Sequence, residues 1–499
     1  MKDKLKSNRL LSSIITMFFI IISVSILSLI LNKLNIEGEV TSIVNGKLET
    51  SIVVVKNIFS KEGIIYTLSN ITTNFNLIEQ LVFIIISLFA VSILDSSGIL
   101  NHIFSPLRKL KSKIITFLFI LISVLSTVIL DYSYIILIPL VSVIYKYLNR
   151  NPILGIVTVF VGITLGYGAG LIYNYGDYSL GMLTEAAAII DVDPSYKYNL
   201  YSNIYIMIAS TILISFIITF LIEKYIVKKI PVYEPIEENY NKSKKALMFS
   251  IISVIVILFI IMLGLLPNGI LLDNTQKAYV AKIFSNNAPF SLAFIYIYLF
   301  ICAVVGLVYG FISKNFTNNH EYSNGFAKEF NNVGYIFILL FLFSILISII
   351  NWTNISIVLV SKLMYLLELF NFTGIALIIF AFILIILMSI IMPNSIEKWT
   401  LISPTLVPIF MRANITPDFT QFIFKVADSI GKSVTPLFVF SIITLGFIQK
   451  HNKDNNVSLF NTFKYTMPII ITMLVFWLLL IIIWYMSGLP IGIGIYATM

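Results

Sequence analysis

Apolar residues in this chain neither alternate nor keep to one helical stripe; they come in long unbroken runs. The clearest, Ala246 to Leu266, reads ALMFSIISVIVILFIIMLGLL and carries no charge. A helix of that length spans roughly 30 Å, the thickness of a bilayer's hydrocarbon. Comparable runs cover about 10–32, 77–98, 115–147, 152–173, 202–222, 289–312, 333–350, 355–392, 401–411, 431–448 and 466–487. Several are too long or too short for one crossing, which leaves the span count open by two or three. The pattern predicts an all-α polytopic membrane protein. The polar segments between runs, at 33–75, 223–245, 267–287, 313–332 and 449–465, are each too short for a core of their own. The chain therefore reads as a single transmembrane domain over 1–499, with its function inside the membrane. The first run is longer than a signal peptide's apolar region and has no small-residue cleavage site, so a retained first helix is expected.

Two regions interrupt the helical pattern. Residues 150–194 carry glycines at 155, 162, 166, 168, 170, 176 and 181, and residues 393–436 carry prolines at 393, 404, 408, 417 and 436. Gly and Pro at this density free backbone groups that lipid cannot satisfy, so protein or water must cover them. Paired interruptions in corresponding places of two halves point to a secondary transporter, whose site is built from re-entrant hairpins and broken helices with inverted-repeat character. Kinks in ordinary packed helices are the alternative.

Composition narrows the function classes. A chain that is 58% hydrophobic and 11% charged, with a mean hydropathy of +0.96, cannot present a water-soluble surface. The net charge of +9 could suggest nucleic acid, but the basic residues lie in short loops beside apolar runs. Lys2, Lys4, Lys6 and Arg9 precede the first run; Arg108, Lys109, Lys111 and Lys113 follow the second; Lys224, Lys228, Lys229, Lys242, Lys244 and Lys245 flank a later pair. That is the positive-inside pattern, which places these loops and the N-terminus in the cytoplasm and speaks against a nucleic-acid partner. One cysteine, Cys302, excludes an internal disulfide and reads as a packing residue. The sequence lacks H-E-x-x-H, G-x-S-x-G and a P-loop, so neither an enzyme nor ATP-driven transport is expected. Energy must then come from an ion gradient or the substrate's own gradient.

The charges inside the apolar region are few. In KVADSIGKSVTP, Asp428 stands three residues after Lys425 and four before Lys432, which puts all three on one helical face. Such a cluster can be purely structural; as a functional site it would hold a cation or proton at the carboxylate and an anion at the lysines. Trp399, beside Glu397 and Lys398, is either a stacking surface for an aromatic substrate or an interfacial anchor. Asp131, in DYSYIILIPL, is a second acid in an apolar run, read as a proton relay, a ligand at a helix break or a structural cap. Asp177 and Glu185 border the Gly-rich region, where Thr184 or Glu185 could cap a helix.

Several separated segments resemble the AbgT family of p-aminobenzoyl-glutamate transporters. They are DYSYIILIPL, RNPILGIVTVFVGITLGYGAG, TEAAAIID, the run from Asn199 to Thr211, FLIEKYIV, Ala288 to Gly310, NNVGYIF, NWTN, and KWTLISPTLVPIFMRANITPDFTQFIFKVADSIGKSVTP. The resemblance implies a homodimer in the inner membrane, with about nine transmembrane helices and two re-entrant hairpins per subunit. It also implies import of p-aminobenzoyl-glutamate, or export of sulfonamide-like antimetabolites, on a proton or sodium gradient. By position it gives functional roles to Trp399, Pro417, Pro436 and Asp428, with Asp177 as the approximate counterpart of an aspartate in the first hairpin. There are departures. Lys425 stands where the family usually has arginine, and Lys432 where it has a neutral residue. The hairpin opening is Ser389, Pro393, Asn394, Ser395 and Ile396 in place of a motif tied to sodium.

These readings combine into a proton-coupled carrier, possible sodium coupling through Ser389 and Asn394 included, for a small anionic aromatic conjugate. Lys425 and Lys432 would attract its carboxylates, Trp399 would face its ring, and Asp428 would carry the coupling charge; Asn394, Ser395, Pro417, Pro436 and Asp177 complete the candidate site. A proton-driven exporter and an uncoupled channel are the rivals, and a channel would be expected to show a ring of like charges instead of a mixed cluster.

Overall fold

The computed structural model of the chain describes residues 12–44, 46–230, 233, 240–452 and 459–499. The basic cluster Lys2, Lys4, Lys6 and Arg9 lies outside the described residues. Among those described, nine helices are long and apolar enough to cross a membrane: Ser13–Lys33, Lys61–Ser97, Ser112–Ile129, Ile204–Ile226, Lys244–Gly264, Pro289–Ile312, Gly334–Thr353, Gly374–Ile391 and Thr466–Ser487. Helix Lys244–Gly264 leaves Ile255, Phe259 and Ile260 exposed, a surface suited to lipid and not to water. The polar segment 33–75 adds a feature that apolar runs do not announce, an antiparallel hairpin of β1 (Glu37–Val44) and β2 (Lys47–Val54) paired from Glu37↔Val54 to Val44↔Lys47. Cys302 is buried in packing contacts, as expected.

The same succession of four helices occurs twice at the centre. The first half runs α1 (Ser112–Ser126), α2 (Tyr132–Tyr147), α3 (Pro152–Leu165) and α4 (Tyr175–Asp191). The second runs α5 (Gly374–Ile391), α6 (Ser395–Arg412), α7 (Pro417–Lys432) and α8 (Val439–His451). In each half the α-helical path breaks between the first and second helices, at 127–131 and 392–394, and between the third and fourth, at 166–174 and 433–438.

Each break has a local cause. Met392 precedes Pro393 and is pushed out of helical geometry, to φ −130° and ψ 88°. Pro436 prevents α7 from continuing into α8. The GYGAG stretch after Leu165 gives 166–174, where Gly170 takes φ 157°. The 127–131 break contains neither Gly nor Pro; Leu130 there holds φ 52°, a strained value for a side chain of this size. The first interrupted region therefore begins at 127, ahead of the 150–194 boundary expected from glycine density. The run 115–147 is two helices, 355–392 is helix Ile355–Leu369 followed by α5, and 431–448 straddles a break. Thr184 and Glu185 lie inside α4 instead of capping it.

Ion pairs at the helix ends show that the two halves are inverted. Lys146 at the end of α2 and Lys450 near the end of α8 both bridge Glu329, at 2.9 and 2.7 Å. Arg150, just before α3, lies 3.8 Å from Glu223 at the same end. At the other end Asp191 of α4 pairs with Arg412 of α6. Hence α3 and α4 run away from the Glu329 end, and α7 and α8 run toward it. The loop lysines and arginines gather at that end too: Arg108 reaches the Tyr147 carbonyl at 2.5 Å, Lys242 the Ser105 hydroxyl at 2.6 Å, and Lys328 the Asp95 carboxylate at 2.8 Å.

Candidate functional site

Helix α7 carries the charges quoted above, and every one of its residues is buried. Thr416 caps it by accepting from the Phe419 N–H, Pro417 fills the first position, Asp418 sits at the positive end of the helix dipole and Lys432 at the negative end. It packs closely on α5 because Gly431 has no side chain: a Cβ there would lie 2.5 Å from the Ser389 Cβ and 2.6 Å from the Ile386 carbonyl oxygen. This approach brings Asp428 and Lys432 up to the 392–394 break.

Asp428 is fully buried and both of its oxygens are engaged. One oxygen pairs with Lys398; the other accepts from Ser395 Oγ at 2.6 Å and lies 2.8 Å from Lys432 Nζ. Lys398, also fully buried, donates in addition to the Met392 carbonyl at 2.8 Å, which satisfies an acceptor freed by the helix break. Lys432 also donates to Ser395 Oγ and lies 4.7 Å from the centre of the Tyr167 ring. Two lysines thus face one carboxylate, leaving the cluster one positive charge in surplus. A sodium ion does not fit at Asp428, because two ammonium groups and a hydroxyl already occupy the carboxylate. Ser389 donates its hydroxyl to the Ile385 carbonyl at 2.7 Å, and the Asn394 oxygen accepts from the Glu397 N–H at 3.3 Å.

Lys425 pairs with Asp177 of α4, and its ammonium lies 5.3 Å from the centre of the same Tyr167 ring that Lys432 approaches. The other Asp177 oxygen accepts from the Asn174 N–H at 3.0 Å, while Asn174 accepts from the Asp177 N–H at 2.9 Å, a reciprocal cap that starts α4. Nearby, Trp399 of α6 donates its indole N–H to the Leu180 carbonyl at 3.1 Å and to Thr184 Oγ1 at 3.0 Å, and Thr184 donates to Gln421 of α7 at 2.8 Å. The two interrupted regions are thereby joined through α4, α6 and α7.

All four breaks open onto one cavity of about 580 Å³. Thr127, Leu130 and Asp131 line it from the first break, Tyr167 from the second, Met392, Pro393 and Asn394 from the third, and Leu437 and Phe438 from the fourth. Ser395, Glu397 and Lys432 contribute polar groups, and Tyr134 and Phe440, stacked with ring centres 4.4 Å apart, contribute aromatic surface. The N-terminal ends of α2, α6 and α8 all reach the lining, a placement that favours negative charge.

The sequence candidates therefore divide. Asn394, Ser395 and Lys432 line the cavity, and Asp428 stands directly behind them. Asp177, Lys425 and Trp399 do not line it, although Lys425 lies beside the Tyr167 ring that does; the Trp399 ring is fully buried against Phe424, with centres 4.4 Å apart. Ser389 is buried at the α5–α7 contact, Pro417 starts α7 and Pro436 forms the fourth break. Sequence reasoning missed Lys398 as the principal partner of Asp428, although its place within the Pro-rich region was visible. It also missed Tyr167, whose setting among glycines was the only signal.

Residues 5–499 match the AbgT putative transporter family. The p-aminobenzoyl-glutamate transport protein of Escherichia coli strain K12 is 24% identical over 452 residues, covering 89% of this chain and 87% of that protein. The solved Neisseria gonorrhoeae MtrF, described as illuminating a class of antimetabolite efflux pumps, superposes with a TM-score of 0.50 at 24% identity, covering 98% of each chain. The Alcanivorax borkumensis YdaH transporter gives a TM-score of 0.48 at 22% identity, covering 96% of this chain and 100% of that one.

Proposed function

Because the chain belongs to the AbgT family, we propose that it is a secondary active transporter of p-aminobenzoyl-glutamate or a similar anionic aromatic amino-acid conjugate, driven by a proton gradient. The observation that carries this reading is the surplus positive charge of the Lys398–Asp428–Lys432 cluster, presented by Lys432 at the wall of an aromatic cavity. A volume of about 580 Å³ suits a ligand of this size.

In this reading Lys432, Ser395 and the N-terminal end of α6 receive a carboxylate, and Tyr167, Phe438 and the Tyr134–Phe440 pair receive the ring. Asp428 acts as the fixed counter-ion that holds Lys398 and Lys432 charged and in place. Protonating it would strand two buried ammonium groups, so the coupling proton is carried elsewhere. Inversion of the halves supports alternating access, in which the breaks open in turn toward each side. The Glu329 end, rich in lysine and arginine, faces the cytoplasm, with the protein a homodimer in the cytoplasmic membrane.

The test is purified full-length chain in liposomes with labelled p-aminobenzoyl-glutamate. An imposed pH gradient should drive accumulation that a proton ionophore abolishes. Absence of accumulation, or flux indifferent to the ionophore, overturns the reading; gradient-driven movement of a sulfonamide alone would replace the conjugate with an antimetabolite as cargo.

A further inference from the structure

On the transporter reading above, we infer that Asp131 is the group that takes up and releases the coupled proton. Three other acids packed among these helices are ion-paired: Asp95 to Lys328, with a bond from Tyr147, Asp177 to Lys425, with a bond from the Asn174 N–H, and Asp428 to Lys398 and Lys432, with a bond from Ser395. Neutralising any of these three would leave a lysine unpaired, and Asp418 of α7, which accepts from Tyr196 at 2.8 Å, does not line the central cavity. Asp131 differs. It stands at the N-cap of α2 but its side chain makes no cap hydrogen bond, and among the described residues its carboxylate has no ion pair. Its side chain is exposed, and it lines the central cavity from the tip of the first break, beside strained Leu130.

The groups facing Asp131 across the cavity decide what it can bind. They are Tyr134 on α2, Tyr167 after α3, Glu397 on α6 and Lys432 on α7. Glu397 is in the first turn of its helix, where the dipole supports a charged carboxylate. A sodium ion needs several oxygen ligands at once, whereas Asp131 offers one carboxylate in a space shared with the Lys432 ammonium; a proton needs only that carboxylate. The exchange is balanced: the carboxylate gains a proton from water when the cavity opens to one side, and returns it to water when the cavity opens to the other. With Asp131 neutral, an anion at Lys432 meets one fewer negative charge. Proton and anion therefore favour each other's binding, and the coupling is reciprocal.

Asp131→Asn in proteoliposomes should lower accumulation of labelled p-aminobenzoyl-glutamate under an imposed pH gradient to the level reached without one, while exchange at equal pH on both sides continues, and Asp131→Glu should restore the pH-driven step. Accumulation by Asp131→Asn at the wild-type level overturns the assignment. Infrared difference spectra across a pH titration give a readout that needs no substrate. A protonated-carboxyl band present in the wild type and in Glu397→Gln but missing from Asp131→Asn supports it, and a band that survives in Asp131→Asn rejects it. A wild type that moves no p-aminobenzoyl-glutamate but keeps the Asp131 band would reject the substrate and leave the proton site standing.

Discussion

Lys425 on α7 pairs with Asp177 on α4 and not with Asp428, its neighbour one turn along the same helix. The pair is buried on both sides, so removing one partner leaves an uncompensated charge. Asp177→Asn should therefore cost about 3–5 kcal/mol of stability, read as a lower unfolding temperature in detergent. Adding Lys425→Met to it should recover much of the loss, because no buried charge then remains. If Asp177→Asn unfolds like the wild type while Lys425→Met weakens binding of p-aminobenzoyl-glutamate, Lys425 is a ligand group and the pair is incidental.

Trp399 joins the halves through its indole N–H. Trp399→Phe keeps the packing against Phe424 but removes the donor to buried Thr184 Oγ1; the Leu180 carbonyl, inside α4, keeps the Thr184 hydroxyl within 2.8 Å. An unsatisfied buried polar group costs about 1–3 kcal/mol, so this variant should be less stable yet bind substrate with wild-type affinity. A large loss of affinity with unchanged stability would instead place the ring against the ligand.

The fold was legible where lipid imposes a pattern. Apolar runs announce crossings, and the Gly-rich and Pro-rich stretches announce three of the four breaks. The break at 127–131 was hidden because Thr127, Leu130 and Asp131 make it without Gly or Pro, in a conformation held by tertiary contacts. The hairpin at 37–54 sits outside the apolar pattern altogether. Within the site, helical spacing placed Lys425, Asp428 and Lys432 on one face, but spacing cannot say which way each long side chain turns. Lys425 finds Asp177, 248 positions away in sequence, and Lys398 reaches Asp428 from α6. Both pairs depend on how α4 and α6 pack against α7, which no local motif encodes.

Lys432 is the lysine of the cluster that lines the cavity. Lys432→Met leaves Asp428 paired with Lys398 and bonded by Ser395, so the fold should survive with a modest change in unfolding temperature. Loss of one charge-assisted hydrogen bond to a substrate carboxylate, about 1.5–3 kcal/mol, should weaken binding roughly tenfold to a hundredfold. Lys432→Arg should retain most of the affinity. Equal affinity in Lys432→Met and the wild type would remove the lysine from the binding site.

Glu329 lies outside the membrane-spanning segments and ties the end of α2 to the end of α8 through Lys146 and Lys450. Burial pushes its carboxyl up, but Lys450 and then Lys146 more than offset this and hold it at about 2, below its ordinary 4.5. A carboxyl that is more acidic folded than unfolded binds fewer protons in the folded state, so its contribution is complete above the ordinary value and disappears as acid protonates the folded form. The protein should therefore lose stability progressively from about pH 4.5 toward about pH 2. Glu329→Gln removes that titration and leaves Lys146 and Lys450 without their carboxylate. It should be less stable than the wild type at pH 7 and show a flatter profile across the acid window. Unfolding temperatures of the two proteins through this range decide the matter: parallel profiles would mean that another acid governs the acid response, and equal stability at pH 7 would mean that the Glu329 bridges do not hold the two halves together.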